Sequence, residues 1–168
     1  MVATRTRLMA GAAGAVVAGG LLVAAPPAAT SAEAANRINV KKAAKVKQLR
    51  KAVVKTARNQ VGSSYVFGSA GPNSFDCSGL VHYSYRKATG KSLPRTSHSQ
   101  RASLKRVSAK NRKPGDLVFF NGNGHVAIYI GKNKIVHAAR SGRGVRIDNI
   151  SGWYGSTLGG YSRVVQRA

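Results

Sequence analysis

Carboxylate side chains are the scarcest charged groups in this sequence. Its 168 residues include 4 Asp and Glu against 28 Lys and Arg, which gives a formal net charge of +24. The four acids stand far apart, at Glu33, Asp76, Asp116 and Asp148. A glycosidase needs two carboxylates that flank one bond, so this dispersion disfavours that class of enzyme.

Cysteine is scarcer still, because Cys77 is the only one in the chain. A single cysteine excludes an internal disulfide and any zinc site built from several thiolates. The sequence also lacks a helical pair of metal-binding histidines, so we expect neither a metal nor another cofactor. A thiol nucleophile remains open, since it needs a histidine as partner and no second cysteine.

The excess of basic residues bears on possible partners. Hydrophobic residues still make up 43% of the chain, which is enough for one folded domain with a core. The positive electrostatic field of a chain with net charge +24 attracts polyanions such as nucleic acid, anionic lipid or the phosphate polymers of a bacterial wall. Charge alone is therefore compatible with a non-catalytic cationic binder of wall polymers or nucleic acid.

Residues 1–32 are typical of a secretory signal peptide. Arg5 and Arg7 precede an uncharged run over residues 8–25, and small residues follow at positions 30–34, where signal peptidase needs them. We therefore expect cleavage near Ala32 and a secreted protein, extracellular or associated with the cell wall. A membrane anchor is the alternative, but its many alanines and glycines make this run weakly apolar.

Hydrophobic periodicity divides the rest of the chain into helices followed by strands. Residues 33–50 are predicted to be a lead, unstructured over 34–40, and the start of a basic helix that continues to residue 61. A second helix is expected from Cys77 to Gly90, and a short third one over 97–104. Helices followed by an antiparallel meander predict an α+β fold. The strand-like runs are residues 116–120, 125–130, 134–139, 145–148 and 161–165.

Cys77 stands where a helix is predicted to begin. Asp76 is a plausible N-cap, which places Cys77 in the first turn among unpaired backbone N–H groups. Those groups and the helix dipole favour a thiolate, although the carboxylate of Asp76 opposes it, and we expect the favourable effects to win. The same N–H groups are suited to stabilise an oxyanion.

Two histidines lie at the ends of neighbouring predicted strands. His125 follows a turn, and His137 lies at the end of the next strand, so an antiparallel hairpin would bring their side chains together. A neutral imidazole at His125 is suited to take the proton of Cys77, and such a base needs an orienting partner on its other nitrogen. A lone histidine in a strand is more often a packing or surface residue, but the pairing with a helix-leading cysteine favours catalysis.

Six short motifs occur in order over most of the chain after the predicted signal, and together they resemble the NlpC/P60 family of bacterial cell-wall cysteine peptidases. Any one of them alone would be far less specific. They are Tyr-Val-Phe-Gly at 65–68, Asp-Cys-Ser-Gly-Leu at 76–80, Leu-Pro-Arg-Thr-Ser at 93–97, Pro-Gly-Asp-Leu-Val-Phe-Phe at 114–120, His-Val-Ala-Ile-Tyr-Ile-Gly at 125–131 and Ile-Val-His-Ala at 135–138.

The resemblance implies a papain-like catalytic domain over residues 51–168, with the nucleophile helix packed against a five- to six-stranded antiparallel sheet. It implies that Cys77 is the nucleophile, His125 the general base and His137 the polar third member. The implied reaction is cleavage of an amide bond in the peptide stem of peptidoglycan, commonly D-γ-glutamyl–meso-diaminopimelate. Five further residues are implied to contact substrate: Tyr65, Asp76, Ser78, Arg95 and Ser97.

Alternatives remain at this point. An N-acetylmuramoyl-L-alanine amidase would use the same thiol chemistry, and the cationic binder would leave the Cys–His–His pattern unexplained. We expect a monomer whose partners are peptidoglycan stems and, by charge, anionic wall polymers, and we do not expect nucleic acid. One departure from the family pattern is His98, where relatives often have tyrosine, and it is expected to alter one subsite.

Overall fold

Three helices and a six-stranded antiparallel sheet make up the fold, which confirms the predicted α+β class. The computed structural model describes residues 30–151 and 155–164. Most of the predicted signal segment, residues 1–29, lies outside the described residues. Within the described part, no helix is long and apolar enough to cross a membrane.

The first helix, α1, spans Ser31–Arg58 and begins earlier than predicted. The prediction that residues 34–40 are unstructured was wrong. The hydroxyl of Thr30 accepts a hydrogen bond from the N–H of Glu33 at 3.4 Å, and Arg37 lies 3.1 Å from the Glu33 carboxylate one turn on. This cap and this i,i+4 ion pair stabilise helical structure in the alanine-rich residues 34–40. They do so although the apolar pattern of these residues is weak.

The second helix, α2, spans Cys77–Thr89 and begins and ends as predicted. A side-chain oxygen of Asp76 accepts from the N–H of Gly79 at 2.7 Å, which caps the N-terminus. Gly90 follows the C-terminus with φ of 72°, a left-handed conformation that glycine adopts without steric cost. The short helix α3 spans Ser97–Ser103, also close to its predicted range.

Eight strands within residues 30–151 and 155–164 form two sheets. The small sheet pairs β1 (Ser64–Tyr65) with β2 (Ser74–Phe75) in parallel. The large sheet has the order β3-β8-β4-β5-β6-β7. The sequence patterns predicted five of its strands and missed β3, a three-residue edge strand of mostly exposed basic residues. The strands of the large sheet are β3 Lys105–Val107, β4 Leu117–Phe120, β5 His125–Gly131, β6 Lys134–Ala138, β7 Val145–Asn149 and β8 Leu158–Arg163.

Both faces of the large sheet are covered. On one face, Val126 and Ile128 of β5 pack in a cluster with Leu80, Val81 and other side chains of α1 and α2. On the other face, Ala127 and the ring of Tyr129 join a smaller cluster. All four residues of β4 are buried for the same reason. The helices therefore hold the N-terminus of α2 against the sheet, with Cys77 at the edge of the main core.

Asp116, just before β4, connects α1 to the sheet. Its carboxylate lies 2.9 Å from the guanidinium of Arg50 on α1 and 2.7 Å from that of Arg163 on β8. It also accepts from the N–H of Lys113 at 2.8 Å, and its side chain is 0% exposed. A buried carboxylate shared by two guanidiniums leaves both cations unpaired when it is removed.

We predict that Asp116→Asn lowers the free energy of unfolding by about 3 kcal/mol or more, because two largely buried guanidiniums lose their counter-ion. Glu33→Gln is the matched control, since it removes the carboxylate of an exposed ion pair with side chains 65% and 54% accessible. The control change is expected to cost no more than about 1 kcal/mol. Urea unfolding measures both, and equal losses would contradict this role for Asp116.

Candidate active site

Cys77 is the first residue of α2 and is only partly buried. The turn around it is tightly packed, because a Cβ atom at Gly79 would lie 2.1 Å from the carbonyl oxygen of Ser69. Only glycine fits this close approach between the helix start and the preceding loop. The loop therefore fixes the first turn of α2, and with it the position of the thiol.

Asp76, Ser78 and Arg95, which the resemblance implied as substrate contacts, lie together and bind one another. The guanidinium of Arg95 approaches both carboxylate oxygens of Asp76, at 3.0 and 2.5 Å, and the Ser78 hydroxyl at 3.0 Å. The Asp76 carboxylate also accepts from the N–H of Gly68 at 2.9 Å. Neither charge stands alone at the site, since each neutralises the other beside the thiol.

The environment of Asp76 keeps it ionised. Burial by itself would raise the pKa of this carboxyl, but the hydrogen bond and charge of Arg95 and the N–H groups of Gly79 and Gly68 lower it on balance. The ionised side chain serves two purposes in the structure. It caps α2, and it anchors the loop that carries Arg95.

The thiol of Cys77 differs from the sequence-based expectation of a stabilised thiolate. Burial raises its pKa, and the negative charge of Asp76 raises it further, against hydrogen bonds from the backbone of Val126 and Ser78 that lower it. The contact with Val126 places the sulfur beside the start of β5, where His125 is the neighbouring residue. Cys77 is therefore a neutral thiol next to a histidine-bearing strand.

His125, His137 and Asp148 form a hydrogen-bonded chain across three neighbouring strands. Nε2 of His125 lies 2.8 Å from Nδ1 of His137, and Nε2 of His137 lies 3.1 Å from a carboxylate oxygen of Asp148. His137 stands opposite Arg146 in the β6–β7 register, and Asp148 is two residues further along β7 on the same face. Arg146 holds the other oxygen of Asp148 at 2.9 Å.

The order of contacts in this chain fixes the tautomers. A carboxylate only accepts, so His137 carries its proton on Nε2 and presents Nδ1 as an acceptor. His125 then donates from its own Nε2, which leaves Nδ1 as its unprotonated nitrogen. This arrangement prepares His125 to act as a base through Nδ1.

Both imidazoles are held neutral. Burial and the neighbouring His137 lower the pKa of His125 to about 3. Burial also lowers the pKa of His137, although the hydrogen bond and charge of Asp148 oppose this effect. With the thiol and both imidazoles neutral, the proton rests on the sulfur, and an imidazole is available as its acceptor.

The other two residues that the resemblance implies as substrate contacts, Tyr65 and Ser97, lie in different parts of the structure. Tyr65 on β1 packs at the edge of the core that also contacts Cys77. Its pKa is raised by burial first and then by the charges of Cys77 and Asp76. Ser97 is 6% exposed at the start of α3. Gln100 on α3 contacts the first turn of α2, because its side-chain amide donates a hydrogen bond to the Ser78 carbonyl at 3.0 Å.

Sequence reasoning missed Asp148 as a partner of His137 and missed Gln100 altogether. The alternation Arg146-Ile147-Asp148 puts both charged residues on one strand face, and this was the available signal. This signal places Asp148 beside His137 only when the register between β6 and β7 is known, and a single sequence does not provide that register. No group of three or more His, Cys, Asp or Glu within residues 30–151 and 155–164 is arranged to hold a metal ion.

Comparison with known proteins points to one family. The NlpC/P60 family model matches residues 62–159, which is more than half of the chain and contains Cys77, His125, His137 and Asp148. The probable endopeptidase p60 of Listeria monocytogenes is 47% identical over 117 residues, which are 67% of this chain and 23% of that protein. The gamma-DL-glutamyl hydrolase of Bacillus subtilis is 42% identical over 95 residues, or 53% of this chain and 23% of that protein.

A solved structure shares the fold. The peptidoglycan hydrolase RipB of Mycobacterium tuberculosis superposes with a TM-score of 0.65 at 26% identity, over 73% of this chain and 68% of that one. The present chain spans about a quarter of the length of the two curated relatives described above. The match over residues 62–159, with the papain-like α+β architecture, establishes that this chain belongs to the NlpC/P60 family.

Proposed function

We propose that this protein is a secreted cysteine peptidase that hydrolyses an amide bond in the peptide stem of peptidoglycan. The observation that carries the proposal is the position of the one cysteine, at the start of α2 and in contact with the backbone of β5, where the His125–His137–Asp148 chain begins. The endopeptidase and peptidoglycan hydrolase names of its relatives support the substrate class.

The proposed reaction begins with attack of the Cys77 sulfur on the stem carbonyl carbon. Nδ1 of His125 takes the thiol proton, and the imidazolium then returns it to the leaving amine as the C–N bond breaks. The acyl group remains on sulfur until a water molecule, deprotonated by the same nitrogen, attacks it. The S–C bond then breaks, the imidazolium returns its proton to the sulfur, and the product leaves as a carboxylic acid that ionises in water. Backbone N–H groups at the start of α2 and the hydroxyl of Tyr65 are suited to stabilise the oxyanion.

His137 and Asp148 act as positioning residues in this scheme. His137 accepts the Nε2–H of His125 throughout, which stabilises the imidazolium formed when Nδ1 of His125 takes the thiol proton, and Asp148 keeps His137 in the tautomer that can accept. In a Ser-His-Asp type of triad the carboxylate contacts the base directly, whereas here His137 lies between Asp148 and His125. This separation avoids a strong ion pair that would hold His125 protonated at rest.

The D-γ-glutamyl–meso-diaminopimelate bond is the stem bond that we propose. A relative named a gamma-DL-glutamyl hydrolase supports a γ-linked glutamyl substrate. Ser78, Ser97, Asp76 and Arg95 remain proposed contacts. Because Asp76 and Arg95 neutralise each other, we expect them to shape one wall of the cleft by their fixed geometry and to offer hydrogen bonds, with no net charge to capture a stem carboxylate.

Replacement of Cys77 by Ala tests the central step. We expect Cys77→Ala to lower the rate of hydrolysis of defined muropeptides by at least about a thousandfold, because no other thiol is present. Mass spectrometry of the products identifies the bond. A new diaminopimelate amine supports the endopeptidase, whereas a new L-alanine amine identifies the muramoyl-alanine amidase. Undiminished hydrolysis by the variant would contradict thiol catalysis.

The role of Asp148 predicts a defect in turnover. Asp148→Asn should lower kcat by about tenfold to a hundredfold with little change in KM, because the tautomer of His137 is no longer fixed. Arg146→Gln is the matched control, since it removes the other partner of Asp148 and leaves the contact with His137 in place. Equal kcat losses in both variants, or a loss that only follows a lower Tm, would show that Asp148 is merely structural.

The lowered pKa of His125 predicts activity that persists in mild acid. Because the imidazole stays neutral down to a pKa of about 3, kcat/KM at pH 5 should keep at least about half of its plateau value, whereas an ordinary imidazole with a pKa of ~6.5 would be about 3% neutral there. Between pH ~6.5 and a pH of about 3, His125 is protonated in the unfolded chain but not in the folded protein. The free energy of unfolding therefore falls as the pH drops through this range. Tm is therefore measured alongside, and half-loss of activity of the folded enzyme near pH 6.5 would contradict the buried neutral base.

A further inference from the structure

A cavity of about 610 Å³ lies between α1, the turn before β4 and the end of β8. It is separate from the residues assigned to catalysis. Five of its lining residues are basic: Lys47, Arg50, Lys51, Lys113 and Arg163. Among the elements described, this is a place where cations from three distant parts of the chain converge.

The chain supplies too few carboxylates to neutralise this cluster. Its four acidic side chains all lie within the described residues, and each has a basic partner: Glu33 with Arg37, Asp76 with Arg95, Asp148 with Arg146 and Asp116 with both Arg50 and Arg163. No side-chain carboxylate therefore remains for the three lysines of the cavity. The acidic side chains thus leave the charge of these lysines available to an anionic ligand.

The floor of the cavity is itself charged. Asp116 brings one negative charge to two guanidiniums, and its side chain is 0% exposed. Arg50 is held further by the Pro114 carbonyl at 3.0 Å, and Arg163 by the Asn111 carbonyl at 2.7 Å. Both guanidiniums are thus fixed in place, and the excess positive charge is preorganised for an anion.

The spacing of the lysines suits an extended ligand. Lys47 and Lys51 lie one turn apart on α1, which separates them by about 6 Å along the helix axis, and Lys113 faces them from the turn before β4. Several cations in a row match successive phosphates of a polymer better than one isolated anion. The other lining residues within 30–151 and 155–164 are Ala43, Val46 and Pro114, and among these described residues there is no aromatic ring on which a nucleic acid base could stack.

We propose that this cavity binds a phosphodiester polymer that lacks bases, of the polyol-phosphate type found in bacterial walls. Phosphates contact Lys47, Lys51 and Lys113 above the two arginines, and the short aliphatic units of the polymer lie against Val46 and Pro114. The site holds the enzyme near its proposed substrate. The partner agrees with the proposed activity, but its binding does not depend on the chemistry of Cys77.

Binding of purified poly(glycerol phosphate) to the full chain tests the proposal. Lys47→Gln/Lys51→Gln is expected to weaken binding by about fivefold to tenfold and to flatten the dependence of affinity on salt concentration. Lys87→Gln/Lys91→Gln is the matched control, because it removes the same charge from exposed lysines that do not line the cavity. The control variant should bind like the wild type, and both variants should keep the wild-type Tm.

Two results would overturn the site. Equal weakening in the two double variants would show diffuse attraction by the whole surface. Tighter binding of single-stranded DNA with the same number of phosphates, with the same loss in Lys47→Gln/Lys51→Gln, would assign the cavity to nucleic acid. Hydrolysis of a soluble, phosphate-free muropeptide should be unchanged in Lys47→Gln/Lys51→Gln, so failure of the polymer site is distinguishable from failure of the proposed peptidase activity.

Discussion

The shortage of carboxylates governs this structure, since 4 acids must organise a chain with 28 Lys and Arg. Each of the three acids in the folded body joins segments that are far apart in sequence. Asp116 ties α1 to β4 and β8, Asp76 ties the start of α2 to the loop of Arg95, and Asp148 ties β7 to His137. No acidic side chain is left over, so the surface stays strongly cationic.

The catalytic arrangement follows from that constraint. A histidine occupies the place beside His125 where an acid often stands, and burial keeps both rings neutral. A neutral thiol beside a neutral imidazole differs from an ion pair formed in advance, because proton transfer accompanies attack. Asp148 acts through His137 and so orients the base without charging it. The same scarcity leaves no acidic side chain to pair with Lys47, Lys51 and Lys113, which are therefore available to an external polyanion.

Patterns within one segment predicted much of the fold. The cap at Asp76, the stop at Gly90 and the alternating strands are local signals, and the structure has α2 and five strands of the large sheet close to their predicted places. The missing details depend on contacts between segments. The pairing of Arg95 with Asp76 and the position of Asp148 beside His137 need tertiary register, and the edge strand β3 has too few residues for a pattern. The early start of α1 depends on a local contact, the N-cap at Thr30, which the apolar pattern does not reveal.

The presence of one cysteine permits a direct test of the central claim, that the thiol of Cys77 performs the chemistry. The purified protein is treated with iodoacetamide, and intact mass gives the alkylated fraction while muropeptide hydrolysis is measured on the same samples. We predict that activity falls in proportion to the fraction alkylated and vanishes when alkylation is complete, with the fold retained. Fully alkylated protein that still hydrolyses the substrate at the original rate would contradict the account.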